Sequence, residues 1–373
     1  MNAILEHTAH IETSSHPRLH ALSTSALHTL YQHRVMSTAQ LRRLLTPAAQ
    51  RPVYLLRKLN ELKDMGLLAQ VRAKSHWGGA NIVQQPFLWF LTEAGAEVVE
   101  EAGELVTRPY RVTPESVAST RQAHTLAVNE AGLAFFEHAR RLAHECGPLD
   151  WTPEVAHRIR DGQRRFEDDH VIADAVLRYV HLERGRRTMF NLFLEIDRGT
   201  MTTARLAAKV SAYGRLYEYV PQHPDRSRRS AAATRPAWQY TYPVFPRLLV
   251  ILDADRRSAR RSLAEQLAAR TEDLYSLTRA DPRLMRLASQ MSIGVTTLQQ
   301  LQERGPFEPI FTPLLRGTPE ARPAPTDVFL RPPRPTAGSG TAGGGSPTPA
   351  RAAVTAPPSV PGARVPANAK APR

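Results

Sequence analysis

Apolar residues recur at two different spacings along this chain, and the changes of spacing mark its elements. From about residue 21 to 65 the spacing is helical. Leu27, Leu30 and Tyr31 predict a first helix, with Ser23 or Thr24 as its cap. Met36–Leu45 (MSTAQLRRLL) predicts a second, in which Ser37 is a good N-cap and Gln40, three residues on, completes a capping box. A turn through Thr46–Arg51 leads to Pro52, whose missing N–H costs little in the first turn of a helix. Leu55, Leu59 and Leu62 then carry a third helix to Gly66, a natural C-cap. After Gly66 the pattern becomes that of strands. LLAQVRAK and PFLWFLT read as a hairpin with SHWGGAN at its tip, and Thr92 caps a short helix in LTEAGAEVV.

A further helical stretch covers about residues 115–145. Ala127, Ala131, Ala134 and Phe135 form its apolar stripe, with Glu130 beside it. From Trp151 to about Gly317 the order reads strand, strand, strand, helix, strand, helix. Residues 221–236 are polar and Arg-rich and read as a mobile loop. Residues 1–20 are polar, His-rich and aperiodic, a flexible arm. Residues 318–373 are rich in Pro, Ala and Gly and cannot bury enough apolar surface to offset their ordering entropy, so a disordered tail is expected. Two folded regions remain, 21–107 and 115–317. No apolar run approaches the roughly 20 residues that span a bilayer, so no membrane is expected among the partners. Met1–Ser15 lacks the basic start and apolar run of a signal peptide.

Charge narrows the choice of partner. Lys and Arg number 49 against 35 Asp and Glu, a formal net charge of +14. Residues 318–373 hold seven basic and two acidic residues, so about +9 stays on the rest of the chain. Such an excess points to a polyanion, with double-stranded DNA the expected partner. A single cysteine, Cys146, excludes an internal disulfide and a zinc cluster and fits a reducing, cytoplasmic setting. It reads as a core residue, with no base nearby to make it a nucleophile.

The order helix, helix, helix, strand, strand, helix, with the runs LNELKDMGLL and FLTEAG, resembles the winged-helix family of DNA-binding domains over about 85 residues. The resemblance implies that the third helix enters the major groove. Arg57, Lys58 and Asn60 would reach phosphates or base edges, with Arg51 and Lys63 flanking them. Arg72, Lys74 and His76 on the hairpin would meet the adjacent backbone or minor groove. The same charges are also what the solvated faces of amphipathic helices carry. Trp77 at the hairpin tip is an aromatic in want of a partner.

Acids and one lysine single out the second region. The strand Val171–Tyr179 (VIADAVLRY) carries Asp174 among apolar neighbours. The strand Phe190–Asp197 (FNLFLEID) carries Glu195 and Asp197, and the helix Thr202–Tyr219 carries Lys209. Residues two apart in a strand share a face, so Glu195 and Asp197 lie with Phe193, opposite Leu192, Leu194 and Ile196. A carboxylate in an apolar strand costs desolvation unless it is paired or binds a metal. Acids from two neighbouring strands would suit Mg²⁺, a hard cation. His124 opens a helix without a second His at metal spacing and reads as a polar or capping residue. The helix expected over Asp255–Arg270 sets Leu263, Leu267 and Ala268 on one side and solvated arginines on the other.

This constellation resembles the PD-(D/E)xK nuclease superfamily. Asp174 matches its first acid, with Ala173 in place of the family's Pro, and Glu195 matches its second. Asp197 stands where the family has Lys, and Lys209 is the candidate for a lysine displaced to the following helix. Glu130 matches an acid that some members carry on the first helix. The resemblance implies a restriction-endonuclease-like α/β domain with a central mixed sheet. In it, Asp174 and Glu195 would hold Mg²⁺, and Lys209 would position water or offset charge. On the non-catalytic reading Asp197 pairs with Arg198 or Arg205, Thr200 or Thr202 caps the helix, and Lys209 pairs with an acid.

As a whole the chain resembles the replication-relaxation family, through AHTLAVNEAG at Ala123–Gly132, ADAVLRY, LEIDRGTMTTARLAAKVSAYGRLY and FPRLLVILDADRRSAR. That resemblance implies DNA binding in plasmid or mobile-element replication or relaxation, with replication or mobilisation proteins as partners. It leaves open a Mg²⁺-dependent nickase or endonuclease and a homodimer. The alternative is a winged-helix transcription regulator whose nuclease-like domain is inactive and serves dimerisation or ligand binding. A third option is a scaffold that uses the Pro-rich tail.

Overall fold

The computed structural model describes residues 19–73, 86–108, 111–117, 122–162, 165–221, 235–253, 262–318 and 321–331. Helix α1 (Ala21–His33) starts two residues ahead of the expected cap. His20 Nδ1 accepts from the Leu22 N–H at 3.1 Å, and Ser23 is buried inside the helix. Met36–Ser37 forms a short strand, β1, and α2 begins at Thr38 and ends at Leu45. The capping box closes as the spacing predicts. Ser37 Oγ accepts from the Gln40 N–H and Gln40 Oε1 accepts from the Ser37 N–H, both at 3.1 Å. Helix α3 (Val53–Asp64) buries Leu55, Leu59 and Leu62. The chain then turns at Gly66, whose φ of 75° is one that residues with a Cβ adopt at a cost.

Strands β2 (Leu68–Arg72) and β3 (Phe87–Leu91) follow, with β3 in the centre of a three-stranded antiparallel sheet of order β1-β3-β2. Thr92 accepts from the Gly95 N–H and opens α4 (Glu93–Glu101). The helical stretch expected over 115–145 contains α5 (Pro114–Val117) and α6 (Gln122–Leu142), the latter matching the helix expected from about Arg121 to Arg141.

The rest is built on a six-stranded mixed sheet of order β4-β5-β6-β7-β8-β9. Strands β4 (Trp151–Arg158), β5 (His170–Glu183) and β6 (Arg186–Asp197) are antiparallel neighbours. A short helix, α7 (Phe166–Asp169), lies between β4 and β5, and α8 (Thr203–Glu218) crosses from β6 to β7 (Arg247–Leu252), which runs parallel to β6. Helices α9 (Leu263–Arg279) and α10 (Pro282–Arg286) lead to β8 (Ile293–Thr297), parallel to β7, and α11 (Leu298–Arg304) leads to β9 (Thr312–Pro313).

Strand parity divides the core. Leu192, Leu194 and Ile196 pack with Leu249 and Ile251 against α6 and α11. Phe193 packs with Leu248 and Val250 against Leu206, Val210 and Tyr213 of α8 and Leu274 of α9. The first cluster continues without a break into Ala26, Leu27, Leu41 and Leu59 of the N-terminal helices. Polar ties cross the same seam. Buried Asn129 donates to the Val35 carbonyl at 2.9 Å, Gln40 Nε2 donates to the Leu126 carbonyl at 3.0 Å, and the His33 ring stacks on Trp151 at 4.1 Å. The described residues form one compact unit.

Three further expectations shift. Strand β8 escapes the sequence pattern because it is five residues long and includes Gly294. A Cβ at Gly294 would lie 2.6 Å from the Leu330 side chain, so the glycine leaves room for that leucine. The segment 321–331 falls inside the expected tail but is packed. Val328 and Leu330 are buried, and the Val328 N–H donates to the Pro306 carbonyl at 2.8 Å. Helix α9 starts later than the expected helix and runs nine residues past Arg270, with Ser262 and Glu265 as its capping box. Residues 255–261 of that expected helix and 222–234 of the expected loop lie outside the described residues.

Candidate functional site

The site begins where the β5–β6 ladder stops. The last pair is Ala175 with Leu194. One step beyond, the Asp174 carboxylate takes over from the missing backbone partner, and its Oδ2 accepts from the Ile196 N–H at 2.8 Å. Its Oδ1 accepts from Lys209 Nζ at 2.8 Å. The Lys209 ammonium also pairs with Glu195 Oε2, and Tyr213 donates its hydroxyl proton to Glu195 Oε1. Lys209 and Tyr213 are four residues apart on α8 and so project from one helix face toward the strand carrying Glu195. His124, near the start of α6, brings Nε2 to 3.5 Å from Asp174 Oδ2.

Burial and charge compete here. Burial alone would raise the Asp174 carboxyl, but its hydrogen bond from His124 and the Lys209 charge outweigh that and hold it below the usual range. At Glu195, burial and the adjacent Asp174 charge win over Lys209 and Tyr213, and the carboxyl is pushed up to about 8. Burial opposes the Lys209 charge, yet Glu195 and Asp174 together keep its ammonium above the ordinary lysine range. Burial first, and then Glu195, push the Tyr213 hydroxyl well up. The cluster therefore holds a favoured cation, a favoured anion and, at Glu195, a carboxyl whose charge burial and Asp174 oppose.

Asp174, Lys209 and His124 line an open cleft of about 770 Å³ between α6, α8 and the β4–β5 edge, while Glu195, 2% exposed, sits behind Lys209. The donor chemistry fits a hard cation. Two carboxylates from adjacent strands converge on one point, and the ammonium stands there as the cation. Mg²⁺ is commonly held by only one or two carboxylates together with substrate phosphates. Among the described residues no group of three or more His, Cys, Asp or Glu forms a fuller cage.

One expected acid, Glu130, lies elsewhere, and Asp197 meets a different partner from those expected. Glu130 does not join the cleft. It accepts from Gln40 Nε2 at 3.0 Å, Arg43 Nη1 at 2.6 Å and Gln302 Nε2 at 2.9 Å. Six residues separate it from His124, about one and two-thirds helical turns, so the two project from different sides of α6. Asp197 is fully buried and pairs with Arg270 of α9 rather than with Arg198 or Arg205. Arg270 also donates to the Met201 carbonyl at 2.6 Å and fastens the β6–α8 loop, whereas Arg198 faces Asp253 at 3.6 Å. Arg270 is thus no solvated charge. Of the two candidate caps, Thr202 caps α8, accepting from the Arg205 N–H.

The residues expected at DNA lie along α3 and β2. Arg51, Arg57 and Asn60 are exposed, as are Val53 and Tyr54. Arg57 lies over the Tyr54 ring at 4.8 Å. Lys58, 16% exposed, is held by Glu61 at 2.6 Å, and Lys63 is half-buried. Exposed Arg72, at the end of β2, lies over the Phe87 ring at 4.5 Å. Lys74, His76 and Trp77 lie outside the described residues. Cys146 is buried, and burial pushes its thiol above the usual range. Among the described residues no helix is long and apolar enough to cross a membrane.

Sequence reasoning missed Tyr213, the Asp174 contact of His124, and Arg270. The four-residue spacing of Lys209 and Tyr213 was the available signal for the first. Nothing local marks the others, because each meets its acid through tertiary contact. No curated protein and no solved structure matches the chain. The sequence model described as replication-relaxation matches residues 27–227, a stretch that runs from α1 past α8 and contains Asp174, Glu195, Lys209 and Tyr213. More than half of the chain is covered by that match, and the protein belongs to the replication-relaxation family.

Proposed function

We propose that this protein binds duplex DNA through α3 and the β2–β3 hairpin, as a winged helix does. We propose further that it cuts one strand of the sugar–phosphate backbone in the cleft of Asp174, Glu195 and Lys209, as a nuclease-like domain. The setting would be replication or relaxation of plasmid or mobile-element DNA. The family match supports the setting. One observation supports the chemistry above all others: a lysine held between two carboxylates at an open cleft.

Each residue has a physical role on this reading. The Ile196 N–H and His124 fix the Asp174 carboxylate, and the Tyr213 hydroxyl fixes Glu195. Lys209 presents a permanent positive charge toward a phosphate oxygen, in a place already organised before substrate arrives. Asp174 and Glu195 would hold Mg²⁺, which when bound lowers the pKa of a water and neutralises charge on the phosphate. The exposed edge of α3, with Arg57 and Asn60, would meet the major groove.

A nicking assay on supercoiled plasmid in Mg²⁺ tests the proposal. The wild type is expected to produce open circles. Asp174→Ala, Glu195→Ala and Lys209→Ala are each expected to slow nicking by about 100-fold or more, the usual loss for a charge-stabilising group. Cleavage that survives in both acid variants overturns the site. A wild type that binds DNA with a steep salt dependence but never nicks leaves the binding half and removes the cutting half.

A further inference from the structure

One wall of the cleft is basic, and the remaining lining mixes acidic, apolar and histidine side chains with Arg34. The basic wall is α8, which presents Arg205, Lys209 and Arg215 with the small residues Ala208 and Ala212 between them. Ten residues of helix set Arg205 and Arg215 about 15 Å apart, with Lys209 between them. Both arginines are exposed, and among the described residues neither side chain has an ion pair. Burial opposes the Arg215 charge, and the nearby charges of Arg283 and Arg160 repel it further. Arg205 and Arg215, without an ion pair on either side of the Lys209 ammonium, make a place where an anion lowers the energy, and Asp281 offsets only part of the repulsion at Arg215.

The remaining lining comes from α6, β4, β5 and α7. Glu167 and Asp168 of α7 carry negative charge there, and Pro153, Ile159 and Ile172 are apolar. Glu154 of β4 is already paired with Arg34 at 2.8 Å.

We infer that this cleft takes a single strand of DNA, its phosphates along Arg205, Lys209 and Arg215 of α8 and its bases toward the β4–α7 side. A duplex carries phosphates on both edges, and its second strand would face Glu167 and Asp168. A single strand has one charged edge and one edge of flat, apolar-faced bases, which can lie against Pro153, Ile159 and Ile172 and whose ring N–H or amino groups can donate to carboxylates. The inference takes the cleft's location from the function proposed above and adds the form of its substrate.

Fluorescence anisotropy in EDTA, where no metal-dependent cutting occurs, tests it with a labelled oligothymidylate and a duplex of the same length. Replacing both arginines by Ala (R205A/R215A) is expected to weaken oligothymidylate binding about tenfold or more. It should also flatten the log–log salt slope by about 1.4, or about 0.7 for each lost phosphate contact. Duplex affinity should not change. The pair R57A/N60A is expected to do the reverse. The charge-preserving pair R205K/R215K should retain most of the single-strand affinity, which a folding defect would not allow. The inference is overturned if the wild type does not bind oligothymidylate, if R205A/R215A binds it as the wild type does, or if that variant loses duplex binding equally. Because the readout is equilibrium binding without metal, it stands or falls separately from plasmid nicking.

Discussion

Glu195 and Asp197 stand two residues apart on β6, share one face, and meet different cations. Glu195 shares Lys209 with Asp174 at the cleft, while Asp197 is sealed under Arg270 and fastens a loop. Strand parity places both acids on the α8 face, but only the arriving helices decide which meets Lys209 and which is sealed under Arg270. His33 shows how burial at a single residue sets behaviour in solution. Its ring stacks on Trp151, Nε2 donates to the Pro148 carbonyl at 2.7 Å, and Nδ1 is buried without a partner. A second proton would have no acceptor. Burial accordingly lowers the imidazole from its ordinary 6.5 to about 3, with the Arg108 charge adding to the effect and the Pro148 hydrogen bond opposing it. The unfolded chain binds that proton from about pH 6.5 downward and the folded chain does not. The stabilisation is thus complete above 6.5 and is lost as the pH falls toward 3, by about 1.4 kcal/mol per pH unit for one group. Urea unfolding at a series of pH values between 6 and 4 should show a steep loss in the wild type. The slope should be shallower by about one proton in His33→Gln, and equal slopes would rule His33 out. His157, lowered to about 4 mainly by burial, keeps part of the dependence in both proteins.

Among the elements, α6 joins the two sheets. Its Asn129 binds the chain between α1 and β1, and its His124 reaches Asp174. Its Gly132 lies against Trp151 of β4 so closely that an added Cβ would sit 2.4 Å from the ring. A glycine in mid-helix normally costs about 1 kcal/mol relative to alanine. Here the indole occupies the space that alanine would need. Gly132→Ala should therefore destabilise despite its better helix propensity, by about 1–3 kcal/mol as overpacked cores do. Denaturant unfolding reads this directly, and a stabilised variant would show that the Trp151 contact gives way easily. Gly294 in β8 follows the same logic against Leu330. Both glycines weaken the local sequence signal of their elements for the benefit of a neighbour far along the chain.

For the molecule as a whole, the N-terminal helices and the large sheet share one apolar cluster, and the C-terminal segment closes it. Val328 and Leu330 are members of that cluster, and Thr326 pairs with Phe311. A chain ending at Arg331 should be more stable than one ending at Thr318, because the shorter chain uncovers Phe311 and the space at Gly294. Fully burying an aliphatic side chain contributes about 1.5–3 kcal/mol, so the two leading side chains together predict a difference of several kcal/mol. Thermal or urea unfolding of the two truncations measures it, and equal stabilities would show that the segment only decorates the core.

Much of the fold was legible because its rules are local. The Ser37–Gln40 box, the Leu55–Leu59–Leu62 stripe, the Thr92 and Thr202 caps and the alternation along Phe190–Asp197 each depend on residues within a turn or two of one another. Asp174, Glu195 and Lys209 stood out as charges in apolar surroundings, and the folded chain brings them together. Tertiary structure decided what spacing could not. It turned Glu130 toward Arg43 and Gln302, gave Asp197 to Arg270, brought His124 and Tyr213 to the acids, and packed residues 321–331 into the core. The reason is that a charge's partner is set by where distant elements cross. His124 and Asp174 are 50 residues apart in sequence and 3.5 Å apart in space.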